Sequence, residues 1–111
     1  MESAATDTPV VTDNPAASRY ELHVGADLAG FLDYRLREHD GAAVLSLVHT
    51  EIEPAFQGAH LATHLARFSL DDARTRGMSV LPFCPYVNSR IKKHPEYADL
   101  VPEERRGEFG V

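Results

Sequence analysis

Cysteine, long apolar runs and basic residues are all scarce in this sequence, and each shortage excludes a class of protein. The single cysteine, Cys84, rules out an internal disulfide and is typical of a reducing compartment, so we expect a cytoplasmic location. No apolar run approaches the roughly 20 residues of a membrane-spanning helix. The N-terminus lacks the basic start and apolar core of a secretory signal. We therefore expect no membrane partner.

Acidic residues outnumber basic ones by 17 to 11, which gives a formal net charge of -6. An acidic chain repels the phosphate backbone, so nonspecific nucleic-acid binding is not expected as the main activity. One local basic patch is present at residues 90–93. With 111 residues, of which 43% are apolar, the chain is long enough for one domain with a modest core.

Apolar and polar residues alternate in the first half of the chain, as they do in half-buried strands. Tyr20, Leu22 and Val24 predict a first strand, and residues 28–36 a second. The more uniformly apolar residues 42–48 predict a central strand. An Asp-Gly pair precedes that strand and favours a hairpin. These segments together predict an antiparallel meander.

The second half predicts a β-α-β unit. A short strand from His49 to Pro54 precedes a helical pattern at residues 61–76. Residues 78–83 return as a strand, expected to lie parallel to the one that contains Ile52. A shorter helix follows at residues 86–94.

The predicted fold class is therefore α/β (α+β), an antiparallel meander that leads into a β-α-β unit with splayed parallel strands. Residues 1–17 lack periodicity and predict a disordered N-terminal tail. Residues 18–102 form the predicted domain. Residues 103–111 are polar and predict a flexible C-terminal tail.

The start of the long helix is a candidate anion site. It has no Ser, Thr, Asp or Asn at the N-cap, so its first N–H groups lack an obvious side-chain partner, and the helix dipole is positive there. Water could satisfy the same groups. Asn88, Arg90, Lys92 and Lys93, on the second helix, could neutralise further phosphates or belong to a solvated face. The residues of the turn are Gln57, Gly58, Ala59, His60, Leu61 and Ala62.

Cys84 lies between Pro82 and Pro85, which are expected to part its strand from the neighbouring strand near the C-terminal end. Parted parallel strands form a slot, and ligands often dock at that edge of a sheet. Cys84 is either a small buried apolar residue or a thiolate nucleophile beside a base. His49 is the candidate base, and a structural histidine is the alternative.

Glu51 and Glu53 share one face of their strand, where either could hold an amine or pass its proton through water. The alternative is a solvated strand edge. His60 and His64 have a spacing that can bind zinc, but no glutamate lies at the general-base position between them. We therefore expect no metal.

Three segments stand out when they are taken together. They are His49-Thr50-Glu51, Phe56-Gln57-Gly58-Ala59-His60-Leu61-Ala62, and Pro82-Phe83-Cys84-Pro85-Tyr86-Val87, which His94-Pro95-Glu96-Tyr97 follows. In this order and at this spacing the chain resembles a minimal, single-domain family of Gcn5-related N-acetyltransferases, of the YjdJ and NATD1 type. The resemblance covers roughly residues 20–101.

The resemblance implies acetyl-CoA as cofactor, with its pyrophosphate on the 57–62 turn and its pantetheine arm in the slot. It places Cys84 beside the acetyl group, with His49 as its partner. Two mechanisms follow, in which an unidentified primary amine of a small molecule or protein is acetylated. Either the amine, held near Glu51 or Glu53, attacks the thioester directly, or Cys84 takes the acetyl group first. In both mechanisms a backbone N–H of the strand that contains Ile52 would bind the oxyanion.

One position departs from the family pattern. Related turns usually carry a glycine where this chain has His60, and glycine lets the backbone approach the phosphates closely. Histidine would fit there if its φ were helical. The departure motivates an alternative function, a noncatalytic acyl-CoA-binding or regulatory module that keeps the fold.

Overall fold

Alternating side chains build a five-stranded sheet in the computed structural model, which describes residues 8–57 and 60–111. The sheet order is β1-β2-β3-β4-β5, antiparallel throughout except for the parallel pair of β4 and β5. This order confirms the predicted meander followed by a β-α-β unit. The strands are β1 (Val10–Asn14), β2 (Arg19–Val24), β3 (Asp27–His39), β4 (Ala42–Ile52) and β5 (Ser79–Pro82).

The helices pack against one face of this sheet, called here the inner face, and a single apolar core lies between them. Leu65, Leu70 and Ala73 of the first helix are fully buried, as its helical spacing predicts. Within the described ranges, no helix is both long and apolar enough to cross a membrane. The α-helices are α1 (Ala62–Thr75), α2 (Pro85–Lys93) and α3 (Glu103–Phe109), and short 3₁₀ turns cover Pro15–Ala17, Pro54–Phe56 and Pro95–Leu100.

The prediction of a disordered tail at residues 1–17 is wrong for residues 10–17, which form β1 and a 3₁₀ turn. Two tyrosines of the sheet explain why β1 is ordered. Tyr34 donates its hydroxyl to Asp13 Oδ1 at 2.6 Å, and Tyr20 donates to Asp72 Oδ2 at 2.8 Å. Arg76 then bridges both carboxylates. This long-range cluster has no periodicity in the sequence, so a local pattern could not reveal it.

The C-terminal segment is also ordered, contrary to the predicted flexible tail. Helix α3 places the Phe109 ring edge-on against Phe83, with ring centroids 5.2 Å apart. The Arg106 Nε donates to the Val101 carbonyl oxygen at 2.9 Å. These tertiary contacts hold a helix whose own sequence is mostly polar.

Strand β4 differs from the prediction in two ways. It is one strand to Ile52, where two were predicted, and its parallel pairing with β5 covers Val44 to Leu47 and does not include Ile52. The β3–β4 register skips Val48, because Tyr34 pairs with Leu47 and Asp33 pairs with His49. Val48 is therefore the extra residue of a β-bulge.

Candidate functional site

Strands β4 and β5 part at the edge of the sheet where predicted site residues gather. Their ladder ends at Leu47 and Pro82, and one further bond joins the Cys84 N–H to the Leu47 carbonyl oxygen at 2.8 Å. Beyond it, β4 continues to Ile52 with no neighbouring strand on that side in the described part of the chain. Parting parallel strands in this way leaves a gap that a flat ligand arm can enter.

The bulge at Val48 decides which side chains of β4 face the helices. Leu45 and Leu47 lie in the core, so strict alternation would also turn His49 inward. The extra residue reverses the alternation. Thr50 therefore lies on the inner face, whereas His49 and Glu51 lie on the opposite, outer face.

The backbone of β4 presents donors to the gap. Glu53 N–H donates to the Ala29 carbonyl oxygen of β3 at 2.8 Å. Because N–H groups alternate in direction along a strand, those of Thr50 and Ile52 point the other way, into the gap. The prediction placed the oxyanion donor among the backbone N–H groups of this strand, and those of Thr50 and Ile52 have the required direction.

A groove continues from the gap between the end of β4 and α2. It consists of two adjoining cavities of about 220 and 190 Å³, which share His60 and Tyr86. Apolar side chains dominate the cavity nearer the gap, and polar or basic ones the cavity farther away. The first is lined by Ile52, Phe56, Gln57, Leu61 and Ala62, and the second by Thr63, Ser89, Arg90 and Lys93.

Arg90 is the clearest anion-binding group of this groove. Its Nε is buried and has no hydrogen-bond partner among the residues that the structure describes. A buried donor without a partner is costly, and a bound anion would satisfy it. Lys93 lines the same cavity, one helical turn from Arg90. The basic end of the groove therefore fits a phosphate.

The start of α1 has no side-chain cap, as the sequence predicted. The N–H groups of Thr63 and His64 bond within the turn, to His60 and Leu61. Leu61 and Ala62 line the groove, and within residues 8–57 and 60–111 no backbone hydrogen bond from their N–H groups is found. Gly58 and Ala59, also predicted here, lie outside the described residues.

Gln57 lines the groove, but its N–H and its Nε2 both donate hydrogen bonds within the protein. Its N–H donates to the Pro54 carbonyl oxygen at 3.3 Å, and its Nε2 donates to the Ile52 carbonyl oxygen at 3.1 Å. Gln57 thus fixes the turn against the end of β4. Its predicted role in holding the cofactor through the backbone is not supported by this geometry.

His60 adopts a left-handed φ of 58°. The helical φ that would suit a histidine is therefore not met, and this conformation is one that glycine adopts most readily. His60 still lines both cavities.

The structure does not bring His49 and Cys84 together, contrary to prediction. Cys84 is only 2% exposed, belongs to the core, and places its Sγ 3.2 Å from Thr50 Oγ1. His49 faces the outer side and contacts Glu51, with 3.1 Å between Nε2 and Oε1. The bulge at Val48 is the physical reason, because it puts Thr50 where His49 was expected.

The predicted phosphate-binding role of Asn88 is also not supported. Its Nδ2 donates to the Phe109 carbonyl oxygen at 2.9 Å, so it anchors α3 and not a phosphate. On a helix with 3.6 residues per turn, Tyr86, Arg90 and Lys93 share one face, and Asn88 lies off it.

The groove also contains Tyr86 and Thr63, which were not predicted as site residues. Tyr86 contributes to both cavities, and its hydroxyl lies 2.9 Å from Thr63 Oγ1, which joins α2 to α1 across the groove. The spacing of Tyr86, Arg90 and Lys93 on α2 was the available signal. A zinc site is not supported by position, because His64 lines a different cavity from His60. In the described ranges, no group of three or more His, Cys, Asp or Glu residues could hold a metal ion.

Comparison with known proteins agrees with this architecture. The model of the GCN5-related N-acetyl-transferase family matches residues 19–100. Protein NATD1 of Danio rerio is 29% identical over 68 residues, which cover 60% of this chain and 62% of that protein. Protein NATD1 of Homo sapiens is 32% identical over 60 residues, which cover 54% of this chain and 53% of the human protein. The chain thus spans between about half and three fifths of the length of these relatives.

Proposed function

From the premise that this chain belongs to the GCN5-related N-acetyl-transferase family, we propose that it binds acetyl-CoA in the groove and acetylates a primary amine directly. The observation that carries the proposal is the placement of Arg90. Arg90, whose Nε is buried and has no hydrogen-bond partner among the described residues, lines one end of a groove whose other end opens on the gap. A ligand with phosphates at one end and a thin apolar arm at the other fits both ends.

The residues divide the work of holding such a ligand. Arg90 and Lys93 would bind phosphate oxygens by charge-assisted hydrogen bonds, together with the N–H groups of Leu61 and Ala62. Ile52 and Tyr86 line the cavity that would hold the arm. Acetyl-CoA, when bound, supplies an acetyl thioester.

The chain's contribution to the transfer is a set of donors and a base. The N–H groups of Thr50 and Ile52 point into the gap and are suited to stabilise an oxyanion. His49 and Glu51 are each 57% exposed on the outer face, where an amine can approach through the gap. We assign Glu51, hydrogen-bonded to His49, as the group that accepts a proton from the ammonium.

Transfer through Cys84 is not part of this proposal. The Cys84 thiol is packed in the core, and no imidazole or carboxylate contacts it among the described residues. A covalent route needs an accessible thiolate with a base at hand.

Calorimetric titration with acetyl-CoA tests the binding step. Arg90→Gln should weaken binding by about tenfold or more, because a charge-assisted bond to phosphate is lost. Lys92→Gln is the matched control. It removes an equal charge from α2, but Lys92 lines a different cavity, together with Asn88. Equal affinity of the two variants, or no binding by the wild type, would contradict the proposed groove.

A panel of primary amines, with release of free CoA as the readout, tests transfer. Glu51→Gln should lower turnover by roughly 100-fold at an unchanged acetyl-CoA affinity, whereas Glu53→Gln should not. Acetyl-CoA binding without transfer to any amine would instead favour the noncatalytic acyl-CoA-binding module.

A further inference from the structure

Strand β3 extends beyond its partner β2, which leaves one strand edge open. The β2–β3 ladder ends at Arg19 and Asp33, whereas β3 continues to His39. The last bond on this side joins the Tyr34 N–H to the Ser18 carbonyl oxygen at 3.0 Å.

The open edge presents backbone donors. Because N–H groups alternate in direction, those of Leu36 and Glu38 point to the same side as that of Tyr34. On that side the structure gives neither of them a partner within residues 8–57 and 60–111. Leu36 is also 48% exposed. Such an edge is a template for one more strand.

Two arginines give the edge a charge opposite to that of the whole chain. Arg35 and Arg37 are exposed and alternate with the inward Tyr34 and Leu36, so both lie on the outer face. Neither forms an ion pair with a carboxylate in the described part of the molecule. A cavity of about 650 Å³ runs beside them, lined by residues that include Ser18, Asp33, Leu36 and Val48.

We propose that this β3 edge, residues 35–39, binds an extended acidic polypeptide segment that adds to the sheet as a further strand. Two arginines at i and i+2 lie about 7 Å apart, the spacing of alternate side chains on a neighbouring strand. The segment therefore carries Asp or Glu at alternate positions, opposite Arg35 and Arg37. This binding does not depend on acetyl transfer.

A second copy of the same edge fits less well. Pairing two β3 edges about a two-fold axis at Arg35, Leu36 or Arg37 places arginine opposite arginine on the outer face. Like charges directly opposite each other destabilise strand pairing. The charge pattern thus favours an acidic partner over self-association.

Fluorescence anisotropy with a labelled synthetic peptide that alternates Glu with Val and Thr tests the proposal, in the absence of acetyl-CoA. The R35Q/R37Q double variant should bind at least about tenfold more weakly than the wild type. Arg67→Gln is the charge control, because Arg67 is exposed on α1, away from the edge. A peptide with Lys in place of Glu should not bind.

A backbone test separates strand addition from simple charge attraction. Leu36→Pro removes the N–H that points to the open edge, and proline is tolerated at such a position. Leu36→Val keeps that N–H. We expect a loss of at least about tenfold in affinity for the proline variant alone, with both variants folded by circular dichroism.

Several results would overturn the proposal. They are equal binding to the wild type and to R35Q/R37Q, equal binding to the proline and valine variants, and no saturable binding of the acidic peptide. A dimer in sedimentation that Leu36→Pro dissociates would assign the edge to a second copy instead.

Discussion

His60 has a backbone conformation that is unfavourable for a residue with a side chain. A non-glycine residue at a φ of 58° costs roughly 1–2 kcal/mol, and glycine avoids most of that cost. His60→Gly should therefore raise the free energy of unfolding by about 0.5–1 kcal/mol, after the greater freedom of glycine in the unfolded chain is counted. Urea denaturation measures this change.

Ser18 is the matched control for His60, because its φ of 54° is also left-handed and it lies away from the groove. Ser18→Gly should stabilise the protein by a similar amount. A marked loss of stability in His60→Gly alone would mean that the imidazole makes a contact worth more than the strain.

Cys84 is a structural residue in the proposed mechanism, so its removal should affect stability more than activity. Cys84→Ala should lower the free energy of unfolding by about 1 kcal/mol, because it leaves a small cavity beside Thr50. Acetyl transfer should persist within about threefold of the wild type. Urea denaturation and CoA release measure the two effects.

Intact mass of the wild type after incubation with acetyl-CoA supplies the complementary observation. No acetyl group should be found on Cys84. A stoichiometric acetyl adduct, together with abolished transfer in Cys84→Ala, would restore the covalent route.

The contrast between Cys84 and His49 shows what the sequence could predict at a site. The gap, the uncapped helix and Arg90 follow from local rules about proline, capping and helical spacing. Which face His49 takes depends on one extra residue, Val48, in a register between two strands. Several registers satisfy the same alternation, so the side-chain partner of Cys84 could not be predicted.

At the scale of elements, β3 and β4 lie close together near the end of β4. Gly30 and Ile52 are directly opposite each other. A Cβ added at Gly30 would lie 2.7 Å from the Glu51 carbonyl oxygen and 2.6 Å from Ile52 Cδ1. The backbone oxygen cannot move aside as a flexible side chain can, so the strands themselves would have to shift.

Gly30→Ala should therefore destabilise the protein by about 1–3 kcal/mol and weaken acetyl-CoA binding, because Ile52 lines the groove. Thermal unfolding and calorimetry measure the two effects. Gly107→Ala is the control, since nothing lies within 4 Å of the added Cβ and alanine favours its helix. Unchanged stability in Gly30→Ala would show that the two strands separate easily.

Element boundaries were predictable where the chain itself signals them. Alternation defined β2, and the helical pattern at residues 61–76 predicted α1 to within one residue at each end. Strand β1 and helix α3 were not predicted, because their order depends on distant partners. Tyr34 is the partner of Asp13, and Phe83 is the partner of Phe109. A polar segment that is stabilised mainly by tertiary contacts has no local sequence pattern that predicts its structure.

At the scale of the whole molecule, the tyrosine cluster between β1, the sheet and α1 links folding to pH. Burial, and then the hydrogen bond to Asp72, raises the pKa of Tyr20 well above its usual range. Burial and the bond to Asp13 raise the pKa of Tyr34 in the same way. In the unfolded chain both hydroxyls would ionise near pH 10.

A raised folded pKa stabilises the protein fully below the unfolded pKa, and that stability is lost as pH rises above it. The free energy of unfolding should thus fall by about 1.4 kcal/mol per pH unit for each tyrosine above about pH 10. Urea denaturation at a series of alkaline pH values measures this slope. The Tyr20→Phe/Tyr34→Phe double variant, less stable at neutral pH, should show a shallower slope but not a flat one. Tyr97 accounts for the remainder, because burial and its bond to Asp71 raise its pKa too. Equal slopes in the wild type and the double variant would mean that neither buried hydroxyl controls alkaline unfolding.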